Sequence, residues 1–304
     1  MMKTTLDRTG NFYRGNLHCH TTCSDGDYTP EESVGIYKKA GYDFLAITDH
    51  NKWGARLDLS SEDFLVLPGT EIDTVYEGGV HHIVGIGKTC TLPDKEIIPL
   101  EVRRTVHPQV MIDYLRNSGC IAIYAHPFWS YCDQALLSSL DGLTGMEIIN
   151  YSCEQEWKSG ISEPYFEFLW RDGRMPWCFG ADDAHGHVPD YLGGSITVKA
   201  PELSASAILA AIERGSFYAS YTPDGSAKPE LHDFWVEDGV AYVKCSPCRN
   251  IYLIVSRTQY HPAHGTAAAP LTQHSWKLPE DAVRVKCVLT GFDGAITWSQ
   301  PIVL

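Results

Sequence analysis

The stretch NLHCHTTCSDGDYTPEESVGIYKKAGYDFLAITDH, residues 16–50, places His18, His20, Asp25, Asp49 and His50 within a single strand, helix, strand passage. RGNLHCH reads as a strand. PEESVGIYKKAG reads as a helix opened by Pro30 and closed by Gly41, and YDFLAITDH as the next strand. Residues at i and i+2 on a strand share a face, so the imidazoles of His18 and His20 can reach one ion while Cys19 points the other way. Ordinary core packing does not ask for such a density of metal-competent groups.

Outward from this passage the same alternation continues. DFLVLPGTEI, VHHIVGIG, CIAIYAH, GMEIIN, PWCFGADDAH and LGGSITV read as strands, and RTVHPQVMIDYLRNSG, SEPYFEFLWRDG and SASAILAAIERG as helices. Repeated βα units with continuous apolar strands fit a closed or nearly closed parallel barrel, assigned to residues 1–222. From about residue 229 the segments become short, alternating and separated by Gly, Pro, Asn or Asp, so residues 223–304 read as a small all-β, sandwich-like domain. The expected class is α/β with this β module appended.

The other candidate ligands fall in register with the strands. His50 ends AITDH, Glu71 ends VLPGTE, His126 ends IAIYAH, and Asp183 and His185 end CFGADDAH. In a parallel barrel those ends converge on one face, where metal and catalytic groups assemble. His82 lies within VHHIVGIG and must point inward, with His81 facing out. Asp49 reads as a strand-end cap or as a carboxylate behind a ligating imidazole.

Composition narrows the function. Twenty-four basic and 38 acidic residues give a formal charge of -14, which argues against a broad electrostatic footprint on a long nucleic acid. No apolar run approaches the roughly 20 residues a membrane span requires, and residues 1–15 lack an apolar signal core, so the cytoplasm is the expected compartment. Ten cysteines scattered through such a chain read as reduced thiols. Cys245 and Cys248 form a lone CxxC, which specifies little and reads as a strand residue and a turn residue.

The motifs together resemble the polymerase and histidinol phosphatase (PHP) family: NLHCH, Ser24-Asp25-Gly26, Thr48-Asp49-His50, the glutamate ending GTE at Glu71, His82-Ile83-Val84-Gly85, Ala125-His126-Pro127, and Asp183-Ala184-His185-Gly186. The likeness spans about residues 13–222, and the C-terminal stretch is more weakly similar to the β domain of carbaryl-hydrolase-like metallohydrolases. The resemblance implies a distorted seven-stranded (βα)7 barrel holding two or three divalent ions. By that resemblance His18, His20, Glu71 and Asp183 would hold one ion, Glu71, His82 and His126 a second, and Asp25, His50 and His185 a third. Imidazole and carboxylate without thiolate suit Mn²⁺, Fe²⁺ or Zn²⁺.

Clustered cations imply a metal-dependent hydrolase in which a metal-bound hydroxide attacks a phosphate ester of a small metabolite or nucleotide. Asp183 or His185 would relay protons to the leaving oxygen. Arg103 and Arg104 could clamp a phosphate, and Phe128 and Trp129 could stack on a base, although a solvated helix entry and loop packing are the favoured readings of the two groups. A short oligonucleotide stays within reach of this reading, a membrane partner does not, and association of copies through the β module is open. Two alternatives stand beside it. One is hydrolysis of a carboxyl or carbamate ester or an amide, and the other is a noncatalytic metal or ligand sensor with a partner-binding β module.

Overall fold

The computed structural model describes residues 2–88, 105–224 and 227–304, so Arg103 and Arg104 lie outside the described residues. Strands β1 (Asn11–Asn16), β2 (Phe44–Ile47), β3 (Leu65–Tyr76), β4 (Gly79–Ile86), β5 (Ile121–Tyr124), β6 (Gly145–Asn150) and β7 (Trp177–Ala181) follow one another around a seven-stranded wall. The tips of β1 and β7 meet in a parallel bridge between Cys19 and Ala184, where His20 N donates to Ala184 O and Asp183 N to His18 O. That bridge closes the ring at the end carrying the ligand motifs.

Period-2 burial builds the wall. Phe44, Ala46, Leu67, Val84, Ile86, Ile123 and Phe179 share one buried cluster, while Leu45, Ile47 and Val66 alternate to the other side and pack with Val34 and Tyr37 of the helix Pro30–Lys39. Thr29 caps that helix in a reciprocal box with Glu32, and Gly41, at φ +76°, ends it. The helices Pro108–Asn117 and Glu163–Arg171 cover another flank, burying Met111, Ile112, Leu115, Phe166 and Trp170.

The structure departs from an all-parallel barrel at β4, which runs antiparallel to both β3 and β5. The cause is local. Only Glu77 and Gly78 separate β3 from β4, with φ of +48° and +81°, and a two-residue turn with both φ positive permits only an antiparallel hairpin. Hence β3 does not end at Glu71 but continues to Tyr76, and β4 brings His82 to the ligand end through its first half, not its last. The helices Gln134–Ser139 and Tyr151–Trp157 and the strand β9 (Phe217–Tyr221) were not anticipated.

The C-terminal strands form a sandwich, but one joined to the barrel. Strand β8 (Gly194–Ala200) pairs antiparallel with β1, β9 with β8, and β16 (Ile296–Ser299) with β9, so a single 14-stranded sheet runs on through β15 (Arg284–Thr290), β12 (Asn250–Ile254) and β13 (Tyr260–His264). A three-stranded sheet of β10 (Leu231–Glu237), β11 (Val240–Cys248) and β14 (Leu271–Lys277) faces it across a core of Phe234, Val243, Leu253, Val285 and Leu289. Lys3 bridges to Val236 and Leu6 enters the same core, so the first residues pack with the sandwich. Cys245 and Cys248 both lie buried on β11, whose pairing with β14 is irregular between Lys244 and Cys248, with Sγ atoms 3.7 Å apart. No helix among the described residues is long and apolar enough to cross a membrane.

Candidate metal centre

Glu71 occupies the middle of the centre. Its Oε1 stands 3.1 Å from His18 Nε2, 2.9 Å from His82 Nδ1 and 3.5 Å from His126 Nε2, and its Oε2 stands 3.2 Å from both His20 Nε2 and His50 Nδ1. Asp183 Oδ1 lies 3.0 Å from His18 Nε2 and 3.0 Å from His20 Nε2, and those two nitrogens are 3.2 Å apart. Asp25, half exposed at the rim, faces His20 and His50 at 3.6 Å and His185 at 3.8 Å.

Among the described residues the candidate ligand atoms fall into three compact groups: His18, His20, Glu71 and Asp183; His50, Glu71 and His82; and His20, Asp25, His50 and His185. The first is the quartet expected by resemblance. In the other two the structure places His50 beside Glu71 and His82, where His126 was expected, and adds His20 to Asp25, His50 and His185. His126 still points at Glu71, and at Asp183 Oδ2 from 3.9 Å.

Several of these close approaches are not hydrogen bonds. Asp183 Oδ1 and His50 Nδ1 are buried without a hydrogen-bond partner, although nitrogens or oxygens stand 3.0–3.2 Å away. Donor atoms about 2.1 Å from a shared ion stand about 3 Å from one another in octahedral geometry, so the spacing and the orphaned atoms fit divalent ions. Electrostatics agree. Burial opposes charge on His18, yet the carboxylates of Asp183, Glu71 and Glu147 outweigh it and hold its pKa well above the usual value. Burial likewise opposes charge on Glu71, and His18, His82 and His50 hold its carboxyl well below the usual range. The cavity has a field that favours positive charge.

Two of the candidate ligands sit in left-handed backbone, His126 at φ +30° and Asp183 at φ +55°. A non-glycine residue there is held against its own preference, and such strain concentrates at functional sites. The barrel closure at Cys19 and Ala184 is what pins Asp183.

Sequence reasoning missed Glu147, on β6. Its Oε1 lies 2.7 Å from His18 Nδ1, and its Oε2 accepts from His126 N and from Asn150 Nδ2, both at 2.8 Å. Asn150 reaches on to Asp183 Oδ2 at 3.1 Å. Among the described residues no imidazole bonds to Asp49. It caps the loop after β1, accepting from Thr21 N at 2.8 Å and Ser24 Oγ at 2.7 Å. Asp190, also unforeseen, accepts from His185 N at 2.7 Å.

The centre opens into a cavity of ≈240 Å³ lined by Asp25, His50, Glu71, His82, His126, Asp183 and His185 and rimmed by Trp129, Glu156, Trp157 and His187. Trp129 packs edge-on against His126, with centroids 4.9 Å apart. Phe128 is not part of this lining and turns onto Tyr131. Cys19 is buried on the opposite face and Cys23 is exposed, and neither joins a ligand group.

No protein-family model matches the chain. It is 40% identical over 84 residues to the 5'-3' exoribonuclease Rnm of Escherichia coli, covering 26% of this chain and 29% of that protein. It is 30% identical over 83 residues to the DNA polymerase/3'-5' exonuclease PolX of Bacillus subtilis, covering 21% of this chain and 15% of that one. The chain thus spans less than a third of the length of these curated relatives. Across its length it is similar to a two-domain protein of Bacteroides vulgatus containing a predicted PHP-like metal-dependent phosphoesterase, with a TM-score of 0.54, 15% identity, and coverage of 96% of this chain and 95% of that one. The fold is the two-domain PHP-like fold.

Proposed function

We propose that the protein is a metal-dependent phosphoester hydrolase acting on small phosphorylated compounds, with two or three divalent ions of the Mn²⁺, Fe²⁺ or Zn²⁺ kind held by His18, His20, Asp25, His50, Glu71, His82, His126, Asp183 and His185. The observation that carries it is the convergence of the His18, His20, Glu71 and Asp183 side-chain nitrogens and oxygens at 3.0–3.2 Å, with Asp183 Oδ1 buried among them and left without a hydrogen-bond partner. The nuclease names of the partial relatives support phosphoester chemistry.

Ions bound there supply an acidified water and neutralise charge on the phosphoryl oxygens. The chain's own groups do the rest. Glu71 sets the spacing of five imidazoles around one carboxylate. Glu147 fixes the ring of His18 through Nδ1, leaving Nε2 directed inward. His185 Nδ1 lies 2.8 Å from the Asp183 carbonyl, which makes Nδ1 the donor and leaves the Nε2 lone pair facing the cavity, as a ligand or a relay for the leaving oxygen requires. Among the described residues no lysine or arginine lines the cavity, so bound ions would have to meet substrate charge, and those residues offer a long strand no basic track there.

Trp129 and the exposed Trp157 offer flat apolar surface at the rim. Trp157→Ala is expected to raise KM about tenfold for an aryl or nucleoside phosphate, the loss of roughly 1.4 kcal/mol of stacking, and to leave KM for glycerol phosphate unchanged. The function itself is tested with aryl phosphates, nucleoside mono- and bisphosphates, short RNA and aryl carbamates, each with Mn²⁺, Fe²⁺ and Zn²⁺. Turnover of phosphates that chelator abolishes is the expected result. Turnover confined to carbamates, or none with any compound, would overturn it.

A further inference from the structure

A second cavity, of ≈400 Å³, opens where the barrel meets the segment leading into the sandwich. Its floor is a cross-strand row: Arg14 on β1 pairs with Thr197 on β8, and Thr197 with Tyr218 on β9. Ser195 lies two residues along β8 on the same face. Lys228, Glu230 and His232 overhang this floor, and Asp43 closes one side. Arg14 is four residues upstream of His18, roughly 13 Å along the strand, so this cavity is separate from the metal centre.

Two cations line this cavity, and among the described residues neither has a carboxylate partner. Arg14 stacks on Tyr42, 4.0 Å from the ring centroid, and donates from Nη2 to Tyr42 Oη at 2.9 Å, but its Nε is buried with no acceptor. Lys228 Nζ donates to the neutral hydroxyl of Ser195. Neither forms an ion pair with an acid among the described residues. Asp43 spends its Oδ2 on the Arg14 backbone N–H at 2.6 Å, and Glu230 is 63% exposed. Lys286 shows the usual solution in this same chain: buried, it is held by Glu163 at 3.1 Å and Glu167 at 2.7 Å. Enclosure first, and the charge of Arg14 second, push the Lys228 amine well below lysine's ordinary value, while Asp182 and Glu230 work the other way. Enclosed charges are costly unless paired, and the missing partner is an anion.

We propose that this cavity is a second ligand site, taking a small oxyanion, the phosphate or carboxylate group of a free metabolite, between Arg14 and Lys228. The guanidinium offers a fixed fork and the ammonium a point charge. Thr197 and Tyr218 add hydroxyls. An occupied site joins β1 and β8 of the barrel to the segment entering β10, giving the junction a ligand of its own.

The test is thermal unfolding of the full chain in chloride, phosphate and malonate at equal ionic strength, for the unaltered protein, Lys228→Met and Glu71→Ala. Phosphate is expected to raise the Tm of the unaltered protein by about 3 °C or more at saturation, and to do so equally in Glu71→Ala. Lys228→Met is expected to unfold at a higher temperature than the unaltered protein in chloride, because an unpaired charge is gone, and to lose the phosphate response. Lys228→Gln, which keeps a polar tip, is measured beside it and should lose the response too. A response to malonate as well as phosphate assigns a general oxyanion site, and a response to phosphate alone assigns a phosphoryl site. An unchanged phosphate response in both Lys228 variants, or an equal response to chloride, overturns the proposal. Binding alone is read, so the outcome is independent of whether the metal centre hydrolyses phosphates.

Discussion

Glu71→Ala is expected to strip the centre of metal and reduce kcat/KM by roughly 10³-fold or more, while far-UV circular dichroism stays that of the folded protein. The reason is the position of one carboxylate. Glu71 is in contact with His18, His82 and His126 through Oε1 and with His20 and His50 through Oε2. Without it, five imidazoles lose the one carboxylate they share, and only Asp183 and Asp25 are left to offset bound cations. Lewis-acid stabilisation is worth several kcal/mol, and each 1.36 kcal/mol is tenfold in rate. Chelation of the unaltered protein should reproduce the loss, and added Mn²⁺, Fe²⁺ or Zn²⁺ should restore it. Metal analysis beside kinetics checks both, and full activity in chelated protein would refute the mechanism.

Glu147→Gln should lower metal affinity or kcat/KM by about 10- to 100-fold, the usual cost of losing the group that orients a ligating histidine. The carboxylate accepts at both ends, from His18 Nδ1 on one oxygen and from the His126 backbone N–H and Asn150 on the other. An amide of the same shape must turn its NH₂ toward one of those donors. A buried donor left without an acceptor costs about 1–3 kcal/mol, so urea unfolding should register the same substitution. Activity and stability both unchanged would mean that His18 is oriented by something else.

Glu147 also shows where the sequence stops being readable. His18, His20, His50, Asp183 and His185 could be placed because each ends an apolar run, and a strand end is a local signal. Glu147 sits inside GMEIIN, where alternation says only that it faces away from Met146 and Ile148. An acid in the middle of an otherwise apolar buried strand has to be paired, and that was the available clue. The antiparallel course of β4 was likewise written in the turn Tyr76-Glu77-Gly78-Gly79, whose paired glycines admit positive φ, but the expectation of regular βα units hid it. The helix Tyr151–Trp157, which carries Trp157 to the rim, has seven residues and follows a strand without a break, leaving too few turns for a helical period to show. Neither the Cys19 to Ala184 closure nor the Arg14 to Lys228 encounter has a local signature, because each joins segments far apart in the chain.

The unbroken sheet that passes from β1 through β8 and β9 into β16 sets a limit on how the molecule can be divided. All five residues of β9 are buried, and its outer rank of backbone groups is satisfied by β16. An expression fragment ending near Thr222 would keep every residue proposed to hold metal yet present β9 as a raw, apolar margin, the kind of surface that recruits other chains. Such a fragment should precipitate or associate where the full chain does not, so the C-terminal strands serve the barrel as a permanent cover for that margin.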